Sequence, residues 1–160
     1  MPFAELTRPS PNFSSTPAHE KLGVCFHHSV MPFEETIAHM LRPETQVSYH
    51  VLIAPDGTRA RLVADDHIGW HAGVSSFHGR TCCNNFLLGV SFASDTYASP
   101  LTDTQIASAL DWLAQRWTHH GWSLAWITDH RQISPGRKND LNPAEWARLL
   151  TAIEKAFPHT

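Results

Sequence analysis

Asp129-His130-Arg131-Gln132-Ile133-Ser134-Pro135-Gly136-Arg137-Lys138-Asn139-Asp140-Leu141-Asn142-Pro143 packs a histidine, a lysine and an aspartate into one loop broken by Pro and Gly. The loop leaves a short apolar run, Leu124 to Ile127, and enters a helix expected to begin at Pro143. A loop fixed at both ends can aim several polar side chains at one point. His130 and Asp140 offer an imidazole nitrogen and a carboxylate oxygen, which both suit a borderline ion such as Zn²⁺. Lys138 would set an ammonium beside that ion, where it could stabilise developing negative charge. Two ligands do not make a site, so a third must come from elsewhere.

The third candidate lies near the other end of the chain. Leu22 to Phe26 is an apolar run that reads as a buried strand, and it ends in His27-His28-Ser29. Open α/β sheets place their sites at strand ends. Adjacent strand residues face opposite sides, so His27 and His28 are not expected to share one ion, and His28 is the weaker candidate. His27, His130 and Asp140 with one open position match a catalytic zinc site. A structural zinc site is the alternative; it would need a fourth ligand, for which Cys82 or Cys83 is available.

Composition bounds the rest. The 160 residues suit one domain, and 42% hydrophobic with 17% charged residues are globular values. A formal net charge of −3 argues against nucleic-acid binding and a membrane-surface role. No run approaches a membrane span, and no signal peptide is visible at the N-terminus, which gives a cytoplasmic expectation. Three cysteines, two of them adjacent, fit a reducing compartment better than a disulfide scaffold. A monomer is expected.

Residues 1–21, rich in Pro and Ser, read as an irregular arm packed on a domain of residues 22–160. Phe33 to Leu41 has helical spacing with Glu34 and Glu35 in its first turn. Val47 to Ile53 and Thr58 to Val63 flank Pro55-Asp56-Gly57 and read as a β-hairpin. Asp65 to Gly79 is a loop carrying Trp70 and His71, read equally well as a ligand-contacting wall or as a buried anchor. Phe86 to Phe92 is a central strand with small residues, Gly89 and Ser91, on one face. Thr102-Asp103-Thr104-Gln105 is a capping box before the stripe Ile106, Leu110, Leu113 and Trp117, expected as one helix ending near Gly121. Asn142, Pro143 and Glu145 are the N-cap, N1 and N3 of a last helix. The alternation predicts an α/β fold: one domain, a central mixed sheet flanked by helices.

The chain also resembles the zinc-dependent N-acetylmuramoyl-L-alanine amidases, which share their fold with peptidoglycan-recognition proteins and phage amidases. Ser10-Pro11-Asn12-Phe13, Phe26-His27-His28-Ser29, Ser48 to Ile53 with Asp56-Gly57, and His130 with Pro135 to Asp140 match in the family's order. Trp70 to Ser75, Gly79-Arg80, Cys83-Asn84 and Phe86 are similar to the cytosolic anhydro-muropeptide amidases. The resemblance implies zinc on His27, His130 and Asp140, and hydrolysis of the amide joining the muramoyl lactyl group to L-alanine in peptidoglycan or muropeptides. It implies catalytic roles for Tyr49 and Lys138, and substrate contacts from Trp70, His71, Arg80 and Asn84. The recycling enzymes carry a glutamate where this chain has Ser91, so proton handling is expected to follow the Tyr49–Lys138 arrangement of the phage enzymes. The alternatives are a non-catalytic peptidoglycan-binding module and another zinc amide hydrolase with the same ligands.

Overall fold

The computed structural model describes residues 3–16 and 19–158; residues 1–2 and 17–18 of the expected arm, and 159–160 of the expected domain, lie outside the described residues. The main sheet has six strands: β1 (Glu5–Thr7), β3 (Gly23–His28), β4 (Val51–Ile53), β5 (Arg59–Arg61), β9 (Leu87–Phe92) and β10 (Ile127–Asp129). Their order is β1-β5-β4-β9-β3-β10. Only β4 and β5 pair antiparallel, as the hairpin expected around Asp56-Gly57; the other pairs are parallel. The sheet is therefore mixed, as its sequence predicts. Two small ribbons flank it: β2 (Phe13–Ser14) with β6 (Ile68–Gly69), and β7 (Ser76–Phe77) with β8 (Arg80–Thr81).

The N-terminal segment differs from the irregular arm expected of it. β1 is an edge strand of the main sheet, and β2 braces the loop before Trp70. Its polar residues are buried because they replace backbone partners. Ser10 Oγ donates to Met40 O, and Asn12 Nδ2 donates to the carbonyls of Met40, Arg42 and Val47. These bonds end the first helix and hold Val47–Ser48 as a loop, so the strand expected from Val47 starts at Val51.

Period-two alternation divides the sheet faces. Val24 and Phe26, with Leu88, Val90 and Phe92, pack beneath α2 (Asp103–Ala114) and α5 (Pro143–Ala156) in one large apolar core. The opposite face is covered twice and incompletely. Leu52 and Ala60 lie under Ile37 and Met40 of α1 (Phe33–Leu41), and Cys25 and Leu87 lie under Ala72, Phe86 and Ile133. His27 and Ser91, register partners on β3 and β9, belong to neither apolar cluster.

The helix expected to run to Gly121 is interrupted. α2 ends at Ala114, and α3 (Trp117–His120) follows after Gln115 and Arg116, whose guanidinium turns to Asp65 and back to Trp112 O. The expected Leu124–Ile127 strand divides into a 3₁₀ turn, Leu124–Trp126, and β10. The capping box is present: Thr102 Oγ1 accepts from Gln105 N at 3.0 Å and Gln105 Oε1 accepts from Thr102 N at 3.0 Å. Thr102→Ala is expected to lower stability by about 1–2 kcal/mol in urea unfolding, because it unpairs the Gln105 amide and releases the bond to Pro55 O.

Candidate metal centre

The centre forms where three chain segments leave the sheet. Asp129 pairs with Phe26 across β10 and β3, so the next residues, His130 and His27, emerge side by side. His130 opens a short helix, α4 (His130–Ile133), rather than the loop expected there. Asp129, fully buried, is the cause. Its Oδ1 accepts from Gln132 N and caps α4, while its Oδ2 accepts from Leu141 N. One carboxylate thus ties both ends of the 130–141 segment and swings Asp140 back over His130.

The donor atoms converge. His27 Nδ1 and His130 Nδ1 are 3.0 Å apart. Asp140 Oδ2 lies 3.6 Å from the first, and Oδ1 3.5 Å from the second. Ligands about 2.0–2.2 Å from one tetrahedral ion lie roughly 3.3 Å from each other. His130 Nε2 is 2.9 Å from Ala72 O, and a carbonyl can only accept, so the proton of the neutral ring sits on Nε2 and Nδ1 is bare. His27 Nε2 is 2.9 Å from His71 Nδ1, and His71 Nε2 is 3.0 Å from Leu87 O. The same accounting leaves His27 Nδ1 bare. Two lone pairs and a carboxylate meeting within 4 Å repel one another unless a cation lies between them, so these residues fit a divalent metal. Cys25, His27 and His71 form a second group of possible donors. Its Cys25 thiol is fully buried and pushed well above the ordinary range by burial, away from the thiolate form that binds a metal.

Burial sets the protonation states. His27 is pushed down to about 4 by burial and then by His130, so its ring is neutral at pH 7. Burial opposes the ionisation of Asp140, and only a positive partner at the Nδ1 atoms of His130 and His27, a proton or a cation, holds its carboxyl well below the usual carboxylate range. Tyr49 is a buried phenol. Burial pushes it up to about 12, against the smaller opposing effect of the Ser91 hydroxyl. The Ser91 Oγ is fully buried facing that phenol, but the pair lacks the geometry of a firm hydrogen bond.

A cleft of about 450 Å³ opens over the centre, lined among others by His28, Val47, Tyr49, Trp70, His130, Lys138 and Asp140. Tyr49 and Lys138 therefore reach the same space as His130 and Asp140. The Tyr49 ring lies 5.2 Å from that of His27. Trp70 is fixed as a wall by Nε1 donating to Ser14 Oγ and by its own N–H donating to Ser48 Oγ. Val30, a β-branched residue at φ 68°, stands 56% exposed at the rim, a strained conformation for such a side chain.

The other expected wall residues are placed differently. Arg80 is outside the cleft lining; its guanidinium pairs with Glu20 and lies over the Phe86 ring. Asn84 is beneath the loop, its Oδ1 accepting from His71 N and Ala72 N. His71 lines the cleft but is 5% exposed, with its ring turned inward to His27. Reading the residues alone missed Arg137, whose Nη2 donates to Ala72 O and Val74 O and holds the loop that supports His130. Nothing local marks such an arginine, because its partners are backbone atoms more than sixty residues away.

A family model described as N-acetylmuramoyl-L-alanine amidase matches residues 18–143. The chain belongs to the N-acetylmuramoyl-L-alanine amidase family. It is 36% identical over 129 residues to the 1,6-anhydro-N-acetylmuramyl-L-alanine amidase AmpD of Escherichia coli, a match covering 78% of this chain and 65% of that protein. The chain thus spans slightly less than two thirds of that relative's length. A crystal structure of an AmpD derivative superposes with a TM-score of 0.78 at 27% identity, covering 93% of this chain and 94% of that one. AmiD of Escherichia coli, solved with anhydro-N-acetylmuramic acid-L-Ala-D-gamma-Glu-L-Lys, shares the fold at 21% identity and a TM-score of 0.72, over 86% of this chain and 58% of that one. Among the described residues no helix of this amidase-family chain is long and apolar enough to cross a membrane.

The buried neutral histidines give the fold a pH dependence. His50, outside the ligand set, is pushed down to about 4, chiefly by burial. Its Nδ1 accepts from Gly89 N, and its Nε2 donates to His67 O. Between pH 6.5 and 4 the unfolded chain binds a proton that the folded chain refuses, so stability falls as pH falls through this window. In chelator-treated protein, His50 alone is expected to cost about 2 kcal/mol at pH 5 relative to pH 8, and His50→Gln is expected to remove that share of the loss in denaturant titrations.

Proposed function

We propose that this chain is a zinc-dependent N-acetylmuramoyl-L-alanine amidase, cleaving the amide between the muramoyl lactyl group and L-alanine of muropeptides. The observation that carries the reading is the triangle of His27 Nδ1, His130 Nδ1 and the Asp140 carboxylate beside the cleft, with both Nε2 protons committed elsewhere. Zinc held there would polarise an amide carbonyl and acidify water. The family relatives named for muropeptides and the complex of AmiD with its anhydro-muropeptide support the substrate class.

The chain's own residues then divide the work. Lys138, on the cleft wall, sets a positive charge where an oxyanion would develop. Tyr49, a buried phenol on the cleft wall, serves as a hydrogen-bond donor and as the proton source for the leaving amine. Trp70 gives one wall for the glycan or peptide. No carboxylate stands at position 91: Ser91 is too weak a base to deprotonate water, and its hydroxyl is shut in beside the centre.

His27→Ala, His130→Ala and Asp140→Ala are each expected to lower zinc content, measured by elemental analysis, and to abolish release of the stem peptide, measured by mass spectrometry. Soluble anhydro-muropeptides and intact sacculi, run side by side, identify the substrate. Cleavage of simple N-acyl amino acids in preference to both would point to a different amide hydrolase; stoichiometric zinc with no cleavage would point to a binding module.

Tyr49→Phe is expected to retain zinc and fold while lowering kcat by roughly 10²–10⁴-fold, the range for a positioned acid–base group. Ser91→Ala is expected to leave turnover near wild type and to change stability little, since the buried hydroxyl it deletes makes no firm hydrogen bond. Steady-state kinetics and urea unfolding of the two variants check both outcomes.

A further inference from the structure

Each histidine of the centre presents Nδ1, so each needs its other nitrogen held. For His130 the holder is a backbone carbonyl, Ala72 O. For His27 it is another histidine. His27 Nε2 lies 2.9 Å from His71 Nδ1, and the two rings meet edge to face with centroids 5.0 Å apart. His71 can accept there only if its Nδ1 carries no proton. The Leu87 carbonyl, 3.0 Å from His71 Nε2, enforces that by claiming the single proton of the neutral ring. The bonds run one way, from His27 to His71 to Leu87 O, and they leave the His27 Nδ1 lone pair aimed at the centre.

The seat for this ring is built from one stretch of chain that holds Asn84, Leu87 and Gly89. Gly89 on β9 has no side chain, and a Cβ there would come within 2.5 Å of His71 Cγ. The strand gives up a side chain opposite Cys25 to let the ring lie against the sheet. Asn84 Oδ1 accepts from His71 N at 3.1 Å and Ala72 N at 2.8 Å. The same backbone turn therefore delivers the ring that holds His27 and the carbonyl that holds His130. A histidine needed only to touch substrate from the cleft wall requires neither the glycine seat nor the inward bond.

We infer that His71 is a positioning residue for the metal: by accepting the His27 Nε2–H it fixes the orientation and raises the basicity of His27 as a ligand, with Gly89 and Leu87 O as its seat. The inference rests on the zinc reading above. Groups that orient a metal-bound imidazole typically account for about 10–100-fold in metal affinity.

The test is zinc affinity of purified, chelator-treated protein, measured by competition with a chromogenic chelator, for wild type, His71→Phe, His71→Asn and Asp140→Ala. Phe fills the seat beside Gly89 and cannot accept a hydrogen bond; Asn places an acceptor oxygen near the position of Nδ1. His71→Phe is expected to weaken zinc binding about 10–100-fold, and His71→Asn to recover most of that loss. Wild-type affinity in His71→Phe, with zinc lost in Asp140→Ala, would overturn the role of His71 alone. Equal weakening in Phe and Asn would overturn it in favour of simple packing. Zinc retained by Asp140→Ala would overturn the zinc reading itself. Nitrogen-15 NMR of the wild-type protein needs no variant: a slowly exchanging proton on His27 Nε2 is expected, and a His27 ring protonated on Nδ1 instead would overturn the inference.

Discussion

The parallel pairing of β3 with β10 is the constraint on which the centre depends. Setting Phe26 opposite Asp129 brings His27 and His130 out of the sheet as neighbours, although 103 residues separate them in sequence. The Asp129 carboxylate completes the arrangement by bonding Gln132 N and Leu141 N, which returns Asp140 to the same point. Loss of either element would scatter the donors, because none of the three side chains is held in place by its own local structure. The active region is thus a product of register and of one buried carboxylate, not of a flexible loop that happens to carry ligands.

That placement has a cost in folding. Burying imidazoles rather than apolar side chains on this face leaves a gap between two small apolar clusters, while the opposite face carries one large core beneath α2 and α5. The gap is made tolerable by pairing ring nitrogens with Leu87 O, Ala72 O, His67 O and Gly89 N. The Nδ1 atoms of His27 and His130 are left aimed at the centre, 3.0 Å from each other. A metal would take those two lone pairs together with the Asp140 carboxylate.

Tyr49 and Ser91 make sense together. A buried phenol that stays protonated suits an environment without a second carboxylate, and the small residue at 91 leaves the phenol its place beside His27. Trp70 and the braced loop before it depend in turn on Ser14, Ser48 and Asn12, so the N-terminal segment belongs to the architecture of the cleft. An expectation of an irregular arm packed on the domain misses its strands, since short polar side chains that satisfy buried carbonyls leave no apolar period to read.

The sequence by itself determined the α/β alternation, the capped helices α2 and α5, the hairpin around Gly57, and the candidates His27, His130 and Asp140, because each is written in local periodicity, turn chemistry or a compact motif. It also placed Tyr49, Trp70 and Lys138 in segments that do line one cleft. Tertiary structure alone decided that Arg80 turns away to Glu20, that Asn84 supports the loop from below, and that His71 points inward at His27. It also decided that α2 stops at Ala114 and that the Tyr49 ring is buried beside that of His27. Those outcomes depend on which atoms from distant segments compete for each polar group and on how deeply each is buried. Neither quantity exists until the strands are in register.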